Sequence, residues 1–179
     1  KRVLQGREKK VVLACYKPVG VTCTERDSHA NRKITDLVKY PVRVTYAGRL
    51  DKDSEGLLLM TNDGELIDAM MRGANGHEKE YIVKVDREVT EDFVSRMAQG
   101  VYLRELEVTT RPCDVEAIGK YTFKIILTQG LNRQIRRMCE EQGYHVKALK
   151  RIRVMNVQLG NLKPGAYREL DEQEKEDLY

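Results

Sequence analysis

Short apolar segments, interrupted by Gly, Asn, Asp and charged residues, divide this sequence into strands and helices. Runs rich in branched and aromatic side chains, with partial alternation, predict strands. The strands predicted in this way are residues 11–16, 42–46, 56–60, 80–86, 122–128 and 148–159. Further short strands are expected to pair within residues 101–118. Together these segments favour a mixed, mostly antiparallel sheet.

Helices are predicted between these strands from capping residues and glycine stops. Thr90, followed by two acidic residues, caps a helix that Gly100 ends. Residues 64–71 continue from the third strand as a helix, and residues 132–142 form another before a glycine. Asp171 opens the final helix. The predicted fold class is therefore α+β, with helices flanking the sheet.

Composition is that of an ordinary globular domain. The 179 residues are 41% hydrophobic and 34% charged. No apolar run approaches the ~18 residues that a membrane span needs, so we expect no membrane partner. A cytoplasmic location is expected because the sequence shows neither an apolar signal segment nor a disulfide framework. Four cysteines and three histidines are scattered without zinc-type spacing, which predicts inert thiols and no metal site. Residues 1–10, polar and basic, are interpreted as a linker.

Positive charge is concentrated near the C-terminal third of the chain. The net charge is +4, but residues 131–153 contain a basic cluster opposed only by Glu140 and Glu141. That cluster consists of Arg133, Arg136, Arg137, Lys147, Lys150, Arg151 and Arg153. A local basic surface is typical of nucleic-acid binding. The alternative is a solvated helix face with Arg–Glu pairs four residues apart.

Residues 48–64 (GRLDKDSEGLLLMTNDG) place the carboxylate of Asp51 in a glycine-bounded turn before an apolar strand. Such turns present a side chain at the end of a buried strand. The turn partly matches a calcium loop, but Asn62 stands where the bidentate glutamate is needed. Magnesium held by Asp51 and Asp53 in a phosphotransferase is disfavoured because no phosphate-binding loop is present. A plain solvated turn is the remaining alternative.

This segment resembles the catalytic motif of the pseudouridine synthases of the RsuA/RluB/RluE/RluF family. Three other segments resemble motifs of the same family in the same order, and together they cover most of residues 11–170. They are residues 16–21 (YKPVGV), 77–83 (HEKEYIV) and 130–138 (GLNRQIRRM). Residues 73–81 (GANGHEKEY) and 153–157 (RVMNV) resemble the RluF branch.

The resemblance implies the pseudouridine synthase fold, with two lobes around a central active-site cleft. Residues 11–179 are expected to be the catalytic domain, without the small S4-like domain that usually precedes it in this family. The implied activity is a cofactor-independent isomerisation of a specific uridine in structured RNA. Large-subunit (23S) ribosomal RNA is the expected substrate and partner, with tRNA as a second possibility, and the protein is expected to be a monomer.

By resemblance, Asp51 is the nucleophile, since a carboxylate can attack and leave without a cofactor. A nearby guanidinium favours the ionised form of a carboxylate. The resemblance assigns this partner role to Arg136. At ~100° per residue, Arg136 lies at the margin of the buried arc of its helix, from which it can point inward. A surface pair between Arg136 and Glu140 is the alternative.

Tyr81 is the aromatic residue that the resemblance places against the target uracil. On pattern alone, Tyr81 is equally consistent with a core position in its strand. The uridine has to leave its stack to reach the nucleophile, and an inserted side chain can fill the vacancy. Arg49 is the candidate for insertion; a phosphate contact or a surface ion pair are its alternatives.

Other cations are expected to contact the RNA backbone, which positions RNA without specifying its sequence. These are Lys17, Arg133, Arg137, Lys150 and Arg151, together with Arg32 and Lys33. Lys17 is equally consistent with an ordinary lysine at a strand end. Two other functions stay open: a catalytically silent RNA-binding module with the same fold, and a metal-dependent phosphotransferase.

Overall fold

A computed structural model describes residues 9–23, 33–72 and 76–179. Arg32 and most of the predicted linker 1–10 lie outside these ranges. The elements are β1 (Val12–Lys17), α1 (Ile34–Leu37), β2 (Thr45–Ala47), β3 (Glu55–Thr61), α2 (Gly64–Arg72), β4 (Lys79–Val85), α3 (Glu91–Gln99), β5 (Tyr102–Leu103), β6 (Val108–Thr109), β7 (Asp114–Gly119), β8 (Thr122–Leu127), α4 (Gln134–Glu140), β9 (Val146–Val154), β10 (Val157–Gln158), β11 (Tyr167–Glu169) and α5 (Glu172–Leu178).

One mixed sheet runs through the described part of the molecule. Its strand order is β11-β1-β3-β9-β4-β8-β7, with β2 paired to β3 and β10 paired to β9. β5 and β6 form a separate hairpin. Every pairing is antiparallel except that of β3 with β9. The predicted α+β class with a mostly antiparallel sheet is confirmed.

The parallel pairing of β3 with β9 is short and joins two half-sheets. Glu55 lies opposite Lys150, and Gly56 lies opposite Arg151. Gly56 has a φ of +117°, and a Cβ added to it would lie 2.2 Å from the carbonyl oxygen of Arg151. Only glycine permits both this backbone conformation and this close approach. The junction between the halves therefore depends on one residue without a side chain.

Each half-sheet has its own hydrophobic core, so the predicted two-lobed fold is present. β1 is buried along its whole length, as a continuous apolar run in a central strand requires. Its two faces pack into separate clusters, one against α2 and α5 and the other against α1. In the second lobe, Phe93 of α3 packs edge-on against Phe123 of β8 and stacks on Tyr144. α4 contributes Ile135 and Met138 to this core.

Local capping explains the helix boundaries. Thr90 Oγ1 accepts a hydrogen bond from the Phe93 amide at 3.0 Å, and Asp171 forms a capping box with Glu174. α4 begins later than the predicted residue 132. Arg133 has a left-handed backbone conformation (φ 49°, ψ 40°), which cannot belong to the helix, so it stands at the N-cap.

Some predicted strands have different limits in the structure. The predicted strand 148–159 is split into β9 and β10 because Met155, with φ 52°, makes a turn between them. Of the predicted strand 42–46, only the C-terminal end is extended, as part of β2 (Thr45–Ala47). α1 and β11 were not expected from the sequence pattern. Within residues 101–118, β5 and β6 pair as expected, whereas β7 pairs with β8.

The four cysteines are free thiols, as expected. Burial raises the pKa of Cys15 and of Cys139 to about 12, so both stay protonated at neutral pH. In the described ranges, no helix combines the length and apolar character that crossing a bilayer requires.

Replacing Gly56 with alanine is expected to destabilise the protein strongly. The new methyl group meets main-chain atoms of Arg151 and also enforces an unfavourable φ, a combined cost of about 2–5 kcal/mol. Gly165→Ala is the matched control, because Gly165 has φ +86° but no atom within 4 Å of an added Cβ. That variant should lose only about 1–2 kcal/mol. Equal losses in urea unfolding would contradict the proposed close approach.

Candidate active site

Asp51 lies in the loop between β2 and β3, at the junction of the two lobes. Its side chain is 44% exposed, so it is accessible to a large ligand. The Ser54 amide donates to the Asp51 carbonyl at 3.0 Å, which closes the loop into a tight turn. The next residue begins β3, whose apolar residues from Leu57 onward are fully buried. The loop that carries Asp51 is therefore joined directly to a buried strand.

Lys17, predicted to contact RNA, is instead completely buried at the end of β1. Its ammonium donates to the carbonyl oxygens of Pro18 and Val21 at 2.9 and 2.6 Å, and lies 3.4 Å from that of Lys52. Burial lowers the pKa of Lys17 to about 8, and the negative charge of Asp53 partly offsets this. The RNA-contact prediction is wrong because β1 is a central strand whose last residue points under the Asp51 loop.

Arg133, at the start of α4, is the arginine closest to the Asp51 carboxylate. It forms two hydrogen bonds to the carboxylate of Asp53, at 3.1 and 2.8 Å, and lies 3.6 Å from Asp51 Oδ2. The hydrogen bond from Arg133 is the main cause of a lowered Asp53 pKa, with a smaller contribution from the charge of Arg136. The two carboxylates of the loop are thus both within reach of one guanidinium.

Arg136 holds the main chain of the same loop. Its Nη2 donates to the Asp53 carbonyl at 2.9 Å and to Ser54 Oγ at 3.1 Å. Among the ion pairs of the described residues, the expected Arg136–Asp51 pair is absent. Arg136 lies one helical turn after Arg133, over the base of the loop, and therefore reaches its backbone. Its Nε is buried and has no hydrogen-bond partner in the described structure.

Asp51, Tyr81 and Arg136 line the same open cavity, which has a volume of about 540 Å³. The convergence expected for these three residues is therefore present. Tyr81 comes from β4 in the second lobe, where its ring also packs against the core. Within the described part of the chain, its hydroxyl has no hydrogen-bond partner. Residues from both lobes form the walls, so the cavity is the predicted cleft.

Arg49 also lines the cavity and has an exposed side chain. Its guanidinium carbon lies 5.9 Å from the centre of the Tyr46 ring. Its carbonyl oxygen is 3.3 Å from Nη1 of Arg151. The backbone of Arg49 is thus anchored while its side chain is accessible at the rim, and the insertion role stays a prediction.

Arg151, another predicted RNA contact, is only 4% exposed. Its Nε donates to the Leu57 carbonyl at 2.8 Å, and its Nη1 reaches Arg49. Two of its guanidinium nitrogens therefore already donate to main-chain oxygens, and little of the side chain is open to a phosphate on the surface. The RNA-contact prediction for Arg151 is therefore wrong, because Arg151 lies opposite Gly56 in the strand pairing that joins the two lobes.

The remaining cations of the basic cluster differ in exposure. Arg137 donates to the carbonyl and side-chain oxygens of Asn132 at 2.9 and 2.8 Å and pairs with Glu105. Lys150 is partly exposed, with its ammonium 6.0 Å from the centre of the Tyr16 ring. The Arg136–Glu140 and Arg137–Glu141 pairs of the alternative interpretation are not among the ion pairs of the described residues. Much of the expected basic surface is thus neutralised within the protein.

Sequence reasoning missed several residues of the site. Asp53 and Ser54 accept hydrogen bonds from Arg133 and Arg136, respectively, although their place beside Asp51 gave no signal for that role. Lys79 lines the cavity two residues before Tyr81, and strand alternation alone puts both on one face. Among the described residues, no group of three or more His, Cys, Asp or Glu side chains could hold a metal ion.

Comparisons with known proteins agree with this geometry. The family described as RNA pseudouridylate synthase matches residues 11–141. The chain is 46% identical over 180 residues to the dual-specificity RNA pseudouridine synthase RluF of Escherichia coli K12, covering 99% of this chain and 61% of that protein. It is 38% identical over 167 residues to the ribosomal large subunit pseudouridine synthase B of Vibrio cholerae, covering 89% of this chain and 51% of that protein.

A solved structure shows the same fold. The crystal structure of a pseudouridylate synthase matches with a TM-score of 0.88 and 30% identity, covering 96% of this chain and 75% of that one. The chain spans about three fifths of the length of the curated relatives that it matches at the highest identity. The family match extends over most of the chain, from β1 to the end of α4. The chain belongs to the RNA pseudouridylate synthase family.

Proposed function

We propose that this protein converts a specific uridine in structured RNA to pseudouridine, with residues 11–179 as its catalytic domain. The observation that carries the proposal is the meeting of Asp51, Tyr81 and Arg136 in one cleft. These residues come from separate motifs, and the fold brings them together from both lobes. Membership of the RNA pseudouridylate synthase family supports the reaction type.

The reaction breaks the bond between N1 of uracil and the ribose, turns the base, and joins C5 to the ribose. The base must stay bound throughout, and no net oxidant or cofactor is required. In the proposed mechanism Asp51 acts as the nucleophile that forms and later releases a covalent bond. Tyr81 stacks on the base, and its unpartnered hydroxyl is available to assist loss of the C5 proton.

Arg136 is the proposed partner that keeps Asp51 ionised when RNA is bound. Its side chain is only 12% exposed and it holds the main chain next to the nucleophile. A guanidinium in a site closed by RNA is screened less than one in water. Arg133, with a 40% exposed side chain, is proposed to exchange its contacts with the loop carboxylates for contacts with RNA phosphate.

Large-subunit ribosomal RNA is the proposed substrate, and tRNA is the second candidate. The Vibrio cholerae relative is named for the ribosomal large subunit, and the Escherichia coli relative is named a dual-specificity enzyme. Arg49, Arg133, Arg137 and Lys150 are the proposed RNA contacts, so affinity should fall as salt rises. We propose that the protein acts as a monomer in the cytoplasm.

Replacing Asp51 with asparagine is expected to abolish the reaction. Asparagine preserves the shape but lacks the negative charge of the nucleophile, so the rate should fall about 10³-fold or more. The measurement is pseudouridine formation in unmodified ribosomal RNA labelled at uridine, with chelator present where the RNA stays folded. Asp68→Asn, a change at an exposed carboxylate of α2, is the control and should retain the wild-type rate.

Three outcomes would contradict the proposal. Product at the normal rate with Asp51→Asn would reject the nucleophile. RNA binding by the wild-type protein without product, from ribosomal RNA and from tRNA alike, would favour a silent binding module. A metal requirement beyond RNA folding would favour phosphotransfer or another metal-dependent reaction.

The two arginines of the loop should respond differently to removal. Arg136→Ala leaves the Asp53 carbonyl and the buried Ser54 hydroxyl without their charged donor, so kcat should fall about 10- to 100-fold. Arg133→Ala removes more exposed ion pairs, and kcat should fall less than about fivefold. Single-turnover kinetics at saturating enzyme measures both. A larger loss for Arg133→Ala would transfer the partner role to Arg133.

A further inference from the structure

Lys79 is a cation in the cleft to which nothing described so far gives a role. It is the first residue of β4, and it lines the cavity together with Tyr81, which follows two positions later on the same face. We propose that the Lys79 ammonium binds an oxygen acceptor of the target nucleotide. The proposal rests on the proposed function and adds a substrate contact to it.

The ammonium of Lys79 is partly buried and has no protein partner in the described structure. Within residues 9–23, 33–72 and 76–179 it has no hydrogen bond and no ion pair. Its cross-strand neighbours, Leu127 on β8 and Val154 on β9, are both buried and apolar. Burial lowers the pKa of Lys79 to about 8, and the nearby positive charge of Arg151 contributes to the same shift. The protein therefore keeps a partly desolvated charge at a cost.

Comparison with Lys17 indicates that the fold does not require a lysine at position 79. Lys17 is completely buried, whereas Lys79 is partly exposed, and the Lys17 ammonium donates to carbonyl oxygens of the surrounding loops. Lys79 has no such acceptors in the described structure, so its charge stabilises nothing in the free protein. A desolvated cation that faces a cavity recovers its lost interactions when a ligand supplies an acceptor.

The distance between Lys79 and Tyr81 suits a nucleotide. Two residues along a strand are separated by about 6.6 Å, roughly the width of a pyrimidine with its substituents. One edge of a base stacked on Tyr81 would therefore lie near Lys79. Acceptors in range are the carbonyl oxygens of the uracil and the phosphate oxygens of the same nucleotide. Other charged groups of the cavity are Arg49, Asp51, Arg133, Arg136 and Arg151.

The first test compares Lys79→Met with Lys84→Met in pseudouridine formation on ribosomal RNA. Lys84 belongs to the same strand but has an exposed side chain on the opposite face. Loss of a charged hydrogen bond should reduce kcat/KM about 10- to 100-fold for Lys79→Met, whereas Lys84→Met should stay within about twofold. Lys79→Arg, which keeps the charge, should recover part of the loss.

Stability separates this role from a structural one. Because Lys79→Met removes a partly desolvated charge that has no protein partner, its Tm at pH 7 should be at least that of the wild type and up to about 2–4 °C higher. The folded pKa of Lys79 lies below the unfolded value of 10.5, so the penalty is present below pH 8 and disappears as the pH rises to about 10.5. The Tm difference should therefore narrow across that interval. A lower Tm for Lys79→Met would indicate a structural lysine and overturn the proposal.

Chemically modified substrate RNA shows whether the oxygen that accepts from Lys79 belongs to the uracil or to a phosphate. Each modified RNA has the sequence of an RNA that the wild-type protein converts. If the acceptor is a uracil carbonyl, 2-thio- or 4-thiouridine at the target should shrink the loss caused by Lys79→Met. If it is a phosphate, a neutral methylphosphonate at that nucleotide should do so. Either result supports the proposal. The Lys79 proposal is overturned if the loss is undiminished in all modified RNAs, or if Lys79→Met has the kcat/KM of the wild type. In either case, product formation by the wild-type protein still supports the proposed function. Absence of wild-type product would reject both.

Discussion

Arg151 links the two lobes to each other and to the Asp51 loop. Its main chain packs against Gly56 at the parallel pairing of β3 with β9, at a separation that admits no side chain. Its buried guanidinium then returns to the Leu57 carbonyl and to that of Arg49. Removing the guanidinium would take a charged donor from both oxygens at the place where the half-sheets meet. The position of Asp51 relative to Tyr81 depends on this junction.

Cations from three different elements hold the main chain on both sides of Asp51. The donors are Arg151 of β9, Lys17 of β1 and Arg136 of α4, and they bind the carbonyls of residues 49, 52 and 53, respectively. The side chain of Asp51 remains accessible in the cleft while its backbone is fixed. A reactive group held in this way needs little reorganisation when substrate binds. The cations near the loop thus fix its backbone conformation and also contribute positive charge to the site.

Local signals predict much of the fold but little of this cation arrangement. The continuous apolar runs predict β1 and β3 to within one residue, and the caps at Thr90 and Asp171 predict their helices. The site motifs predict which residues meet in the cleft. Sequence pattern does not predict that Lys17 is buried, because this depends on how the turn after β1 and the Asp51 loop fold over it and present the carbonyls of Pro18, Val21 and Lys52. Nor does it predict which arginine reaches Asp51, since that depends on the left-handed backbone of Arg133.

The fixed conformation of the loop is tested most directly by hydrogen exchange at the Ser54 amide, which donates to the Asp51 carbonyl. If Arg136 holds this loop, Arg136→Ala should accelerate exchange at Ser54 at least about tenfold. Amides of the β4 and β8 core should keep their protection, because the change leaves that pairing intact. Unchanged exchange at Ser54 in Arg136→Ala would contradict the view that cations bound to main-chain oxygens fix the Asp51 loop.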